Sequence, residues 1–240
     1  MIPKILHYVY MTDKIPDKIQ GYMSHWKRLM PTYQVIHWHG GNFDIQSVKW
    51  VKQAAEAKKW AFVADYIRLW ALYTHGGIYL DSDVEVLKPF DALLELPYFI
   101  GKEKTKDGIE CGILGSEPTC RWIKDCLDYY TDKDFILPNG KYTMIPMPHI
   151  LKNILGNQYG FSTINSIREF DKNSAKIQIF TEDFFSPKYY GKKIWRDGKI
   201  DLTENTYTIH HFNASWKPWY SKAKRFISNL MVNFKHECTN

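Results

Sequence analysis

The chain has 240 residues, 45% of them hydrophobic, and a net charge of +6. That length carries one substantial α/β domain, and no linker-like stretch divides it into two. No apolar run approaches the roughly 18 residues of a membrane span, and so modest a charge makes nucleic acid a poor expectation; anionic nucleotides or lipid head groups suit it as well. The four cysteines, Cys111, Cys120, Cys126 and Cys238, contain no C-x-x-C pair, and no secretory leader is expected before them. They read as reduced thiols of a cytoplasmic protein, not as a disulfide framework or zinc site.

In chain order, Ile2–Tyr10 reads as a first, buried strand. Asp17–Met30 reads as a helix bounded by Pro16 and Pro31, and Tyr33–Trp38 as a second strand ended by Gly40-Gly41. Strand, helix, strand is how a doubly wound sheet begins, and such sheets bind nucleotides at the carboxyl ends of their strands. Neither a G-x-G-x-x-G nor a P-loop pattern is present. Ile45–Lys59 is expected to be a more polar helix covering the sheet. Trp60–Tyr73 is apolar almost all round, so it belongs in the interior. Its only charges, Asp65 and Arg68, are three apart and share one face.

Gly76-Gly77 turns the chain back sharply. Ile78-Tyr-Leu80 then has strand character, which directs Tyr79, Asp81 and Asp83 the same way. Two carboxylates that close repel unless a cation lies between them. Oxygen donors favour hard ions, Mg²⁺ or Mn²⁺, which keep positions open for phosphates.

Past Asp83 the expected elements are an extended Val84–Leu87, a short helix from Pro89 to Leu96, an exposed charged loop at Lys102–Asp107 and a strand at Cys111–Ser116. Glu110, just before that strand, reads as a solvated entry residue more readily than as a group facing an acceptor. Helices are expected at Pro118–Tyr130 and from Ile145 towards Leu155, and strands at Lys176–Phe180 and Tyr189-Tyr190, with Asp183 between the last two. Thr206–His211 is a strand ending in two histidines. Adjacent strand residues face opposite ways, so at most one histidine can join the aspartates, and an imidazole would favour Mn²⁺. Residues 217–240 form a basic amphipathic tail, with Phe226, Ile227, Leu230, Met231 and Phe234 on one face. It is expected either to pack on the domain of residues 1–216 or to contact an anionic membrane.

Ala64-Asp65-Tyr66-Ile67-Arg68, Leu72-Tyr73 and Gly76-Gly77-Ile78-Tyr79-Leu80-Asp81-Ser82-Asp83 together resemble the signature of the D-x-D sugar-binding-region glycosyltransferases. That family includes fungal initiating mannosyltransferases, bacterial capsular polysaccharide transferases and, more distantly, clostridial glucosylating toxins. Ile2-Pro-Lys-Ile-Leu-His7 and His210-His211-Phe-Asn-Ala-Ser-Trp216 resemble its two ends. The resemblance implies a GT-A-like α/β fold with a mostly parallel central sheet flanked by helices. It implies a retaining transfer from a nucleotide-diphosphate sugar, a UDP-sugar before GDP-mannose, to a glycan or lipid-linked saccharide in surface polysaccharide synthesis. It implies roles as well. Asp81 and Asp83 with His210 or, second, His211 would hold Mn²⁺ or Mg²⁺, and Tyr10 would stack on the base. Asp65 and Arg68 would read the sugar and diphosphate beside Tyr79, and Ser215 and Trp216 would close over them. His7 is expected to bond backbone within the sheet.

Two rival functions share the motif. In a haloacid-dehalogenase-like phosphatase Asp81 would be the nucleophile and Asp83 the acid, but that needs the motif on the first strand and an acidic pair downstream. The other rival is a non-catalytic carbohydrate-binding protein.

Overall fold

The computed structural model describes residues 1–12, 14–104, 108–187, 200 and 202–212. Ser215, Trp216, the Tyr189-Tyr190 strand and the tail from 217 lie outside the described residues. Nine strands and six α-helices are found among them: β1 (Ile5–Val9), α1 (Asp17–Leu29), β2 (Gln34–Trp38), α2 (Lys49–Glu56), α3 (Trp60–His75), β3 (Gly77–Leu80), β4 (Val84–Val86), β5 (Tyr98–Glu103), β6 (Gly108–Ser116), α4 (Arg121–Asp128), α5 (Met147–Gln158), β7 (Phe161–Ile164), β8 (Ile177–Phe180), α6 (Glu182–Phe185) and β9 (Thr208–His210). None of these helices is long and apolar enough to cross a membrane.

Seven strands form one sheet in the order β2-β1-β3-β6-β5-β8-β7, and β4 pairs with β9 in a separate two-stranded ribbon. Only β6 runs against its neighbours; the β1–β2, β1–β3, β5–β8 and β7–β8 pairings are all parallel. Because β6 is antiparallel, its first residues lie beside the end of β3, with Leu80 opposite Ile113 and the Asp81 amide donating to the Gly112 carbonyl at 2.7 Å. This one reversed strand brings Glu110 and Gly112 to the D-x-D turn.

The sheet separates two apolar cores. One gathers α2, α3, α4 and α5 around residues such as Trp50, Ile67, Leu72 and Leu151. The other packs α1, the β4–β9 ribbon and α6 through Trp26, Leu80, Phe99 and Phe185. In α1, Ile19, Met23 and Trp26 recur at helical spacing and are buried. The Trp26 indole donates to the Val84 carbonyl at 3.0 Å, and His25 Nε2 lies 2.9 Å from the Val86 carbonyl. Helix α1 thereby fastens β4, and with it the chain immediately after Asp83.

Three expected elements are corrected. Ile45–Lys59 is broken: Asp44 caps a short 3₁₀ turn, Ile45–Ser47, and Val48 is extended before α2 begins. Lys102 and Glu103 belong to β5, where they pair with Ile109 and Gly108, and so do not open a loop. Phe161–Ile164, where no strand was expected, is a strand paired with β8.

Candidate active site

Helix α3 stops at Gly76 (φ 65°), and Gly77 follows at φ 101°. A Cβ on Gly77 would lie 2.7 Å from the Ile5 carbonyl oxygen, and one on Gly76 2.7 Å from Pro118. The glycine pair lets α3 fold back against β1, and β3 then delivers Asp81 to the carboxyl edge of the sheet. As a consequence Asp65 and Arg68 of α3 stand over the end of β3.

Arg68 is buried at the centre of the cluster. Its Nη2 lies 3.2 Å from Asp65 Oδ1 and 3.1 Å from Asp81 Oδ1, its Nη1 donates to the Cys111 carbonyl, and its guanidinium lies 4.6 Å from the Tyr79 ring centroid. The Tyr79 hydroxyl donates to Asp81 Oδ1 at 3.0 Å. Burial works against the charged guanidinium, but Asp81, Tyr79 and Asp65 outweigh it and hold Arg68 ionised. Burial pushes Asp65 up to about 7, with Arg68 pulling it back and Asp81 adding to the rise.

On the far side of Asp81 stands His210, placed by β9 opposite Val84. Its Nδ1 lies 2.9 and 3.0 Å from the two Glu110 oxygens, and Glu110 also accepts the Gly112 amide at 2.7 Å. A carboxylate only accepts, so Nδ1 carries the proton and the lone pair of neutral His210 is on Nε2. Nε2 points at Asp83 Oδ1 (3.4 Å) and Asp81 Oδ2 (3.8 Å). Three acceptors facing one another need a cation. Without a metal the cation is a proton: burial opposes the charge on His210, but Glu110 and Asp83 together raise its pKa well above the ordinary value.

Asp81, Asp83 and His210 each offer one donor atom within 4.8 Å of the others, among the described residues. Two carboxylates and an imidazole whose other nitrogen is held by a carboxylate are a donor set suited to Mn²⁺ or Mg²⁺. Gly112 closes the floor: a Cβ there would meet His210 Cε1 at 2.7 Å, Glu110 Oε1 at 2.9 Å and Asp81 Oδ2 at 3.0 Å.

The structure thus brings Asp65, Arg68, Tyr79, Asp81, Asp83 and His210 together. His211 faces the other way, as strand alternation requires: its Nε2 lies 2.9 Å from Glu85 Oε2 and its ring stacks on Tyr22. Tyr79 is a buried support under Asp81 rather than an exposed surface for a ligand. Tyr10 sits half-buried just past the end of β1, its amide donating to the Trp38 carbonyl at 3.2 Å. His7 bonds backbone, with Nε2 2.8 Å from the Gly76 carbonyl. Glu110 is corrected outright, because it is a buried member of β6 that orients His210. A carboxylate inside the apolar run Ile109-Glu-Cys-Gly-Ile-Leu114 was the available signal, since a strand seldom buries a charge without a partner.

Comparison with known proteins agrees with this geometry. Residues 16–100 match the family model described as a glycosyltransferase sugar-binding region containing a DXD motif, and Asp81-Ser82-Asp83 is the D-x-D in that span. Over 118 residues the chain is 30% identical to inositol phosphoceramide mannosyltransferase 3 of Schizosaccharomyces pombe, covering 48% of this chain and 33% of that protein. The chain thus spans about a third of the length of that relative. It is 24% identical over 248 residues to an uncharacterized glycosyltransferase of Acanthamoeba polyphaga mimivirus, covering 98% of this chain and 91% of the relative. Among solved structures, the PaToxG glycosyltransferase superposes with a TM-score of 0.50 at 17% identity, over 65% of this chain and 68% of that one, which supports the GT-A-like fold. Residues 16–100 of the chain are thus similar to the DXD-containing sugar-binding region of glycosyltransferases.

Proposed function

We propose that the protein transfers a sugar from a nucleotide-diphosphate donor to a hydroxyl of a glycan or lipid-linked saccharide. The observation that carries this is the joint placement of the buried Asp65–Arg68 pair and the Asp81, Asp83 and His210 cluster at one strand end. Asp81, Asp83 and His210 would hold Mn²⁺ or Mg²⁺, which when bound offsets the charge gathering on the departing diphosphate. Arg68 holds Asp81 in place. Asp65 presents a carboxylate able to accept from two neighbouring sugar hydroxyls, and Tyr10 offers a ring for the base at the adjoining strand end. In the transfer the bond from the anomeric carbon to the diphosphate oxygen breaks and one to the acceptor oxygen forms on the same face. That same-face replacement gives retention, and the acceptor proton passes to the departing phosphate.

The Schizosaccharomyces pombe relative is an inositol phosphoceramide mannosyltransferase, which supports testing GDP-mannose beside UDP-sugars as donor and favours a lipid-linked acceptor. The phosphatase reading loses ground because D-x-D follows the third strand in chain order and Asp81 is already engaged by Arg68 and Tyr79.

The test is a thermal-shift panel of UDP-sugars and GDP-mannose, each with and without Mn²⁺, on the wild type and on Asp81→Asn and Asp83→Asn. A ligand at one hundred times its Kd adds roughly 2.7 kcal/mol of stability, a clear rise in Tm. One donor should stabilise the wild type only when Mn²⁺ is present, and neither variant should respond. A shift independent of both Mn²⁺ and the aspartates would refute the assignment.

A further inference from the structure

Four of the seven large apolar side chains that are exposed among the described residues lie in one loop: Leu137, Tyr142, Met144 and Ile145, each 36–44% exposed. The loop is well held. Gln53 Oε1 accepts the amides of Phe135 (2.7 Å) and Ile136 (3.0 Å), and Gln53 Nε2 donates to Asp134 at 2.8 Å. Backbone bonds Leu137 to Lys141 (2.8 Å) and Thr143 to Phe135 (2.8 Å) close it, and the Phe135 and Tyr142 rings stack at 5.6 Å. A loop braced at its base that still exposes four apolar side chains is a formed surface; such patches mark interaction sites.

The charges around it favour one kind of partner. Lys58, Lys133 and Lys141 are exposed, and Lys59 Nζ lies 5.5 Å from the Tyr142 ring centroid. Of the loop's two carboxylates, Asp134 is bound to Lys49 at 2.8 Å, which leaves Asp132 as the counterweight. Apolar side chains ringed by lysines are the chemistry that enters the interface of an anionic bilayer.

The loop also lies close to the site. Helix α3 runs back from Lys59 to β3, so its amino end and the loop touching it share the sheet edge that carries Asp81. Asp65 lies six positions after Lys59, about 9 Å along the helix axis. Helix α5 also begins at this edge, directly after the loop.

We propose that the 137–145 loop, with Lys58, Lys59 and Lys141, seats the catalytic edge on the surface of an anionic lipid bilayer. This rests on the lipid-linked acceptor of the proposed function and adds the surface that meets the membrane.

The test is co-sedimentation of the full chain with vesicles of phosphatidylcholine alone or with about 30% phosphatidylserine, which makes the surface negative. The variants are Leu137→Ser/Ile145→Ser and Lys58→Glu/Lys141→Glu, all at exposed positions where folding is little affected. Wild type should bind the anionic vesicles, and each double variant should bind about tenfold more weakly. The Mn²⁺-dependent thermal shift with donor should stay unchanged, which separates a failed docking surface from a failed transferase. Wild-type levels of binding in both variants, or no binding by wild type, would overturn the proposal. So would a wild-type dimer in vesicle-free sedimentation that Leu137→Ser/Ile145→Ser makes monomeric, because the patch would then belong to a second copy.

Discussion

At the scale of single residues, Glu110 shapes the site without facing substrate. It holds His210 Nδ1 through both oxygens and ties down the Gly112 amide, so the direction of Nε2 depends on it. Partners of this kind typically account for 10- to 100-fold in metal affinity. Glu110→Gln should therefore raise the Mn²⁺ Kd measured by calorimetry by about 10- to 100-fold. Glu110→Asp, which keeps the charge at shorter reach, should recover part of the loss. Unchanged affinity in a folded Glu110→Gln protein would show that His210 is oriented by something else. The D-x-D turn and the Asp65/Arg68 pair were legible because their partners are close in sequence. Glu110 was not, since its partner His210 lies 100 positions away and the apolar run around it points to burial without naming that partner.

At the scale of elements, two glycines give opposite expectations. Gly77 has φ 101°, and a methyl group on its Cα would lie 2.7 Å from the Ile5 carbonyl oxygen, so β3 and β1 would have to part to admit one. Gly77→Ala should cost about 2–4 kcal/mol, as left-handed strain and displacement of a strand combine. Gly21, exposed in α1 with open space around its Cβ position, should gain about 0.5–1 kcal/mol on replacement by alanine. Urea midpoints of the two variants check both signs, and equal shifts would mean that the turn tolerates a side chain. The same contrast explains which elements were readable. Helices α1 and α3 carry buried apolar residues at regular spacing, and the glycine pair announces the turn between α3 and β3. Strands β5 and β7 were missed because Lys102 and Glu103 end one and Ser162 and Thr163 fill the other. Such short, partly polar strands take their state from β6 and β8, which are distant or later in the chain.

For the whole molecule, the acid side of stability is set by groups that folding moves in opposite directions. His7 projects from β1, accepting from the Trp38 indole at 3.1 Å on Nδ1 and meeting the Gly76 carbonyl with Nε2. An indole only donates, so Nδ1 must stay unprotonated and the imidazole neutral. Burial lowers its pKa to about 4, with the Gly76 carbonyl opposing and His75 assisting. The unfolded chain, at the ordinary value near 6.5, therefore binds a proton that the native state refuses. This contribution to stability is intact above pH 6.5 and declines as pH falls towards 4, by on the order of 3 kcal/mol. Asp65 acts in reverse: with its pKa raised to about 7, the native state takes up a proton first, and acidification favours folding. The two slopes offset each other over the same window, so the wild type alone conceals them. His7→Gln keeps a donor and an acceptor in place without titrating. In metal-free buffer its urea midpoint should be lower than wild type at pH 7.5, and the gap should close by pH 4.5. Parallel curves across that range would show that His7 titrates alike in the native and unfolded chain, so that Nδ1 does not hold the bond from Trp38.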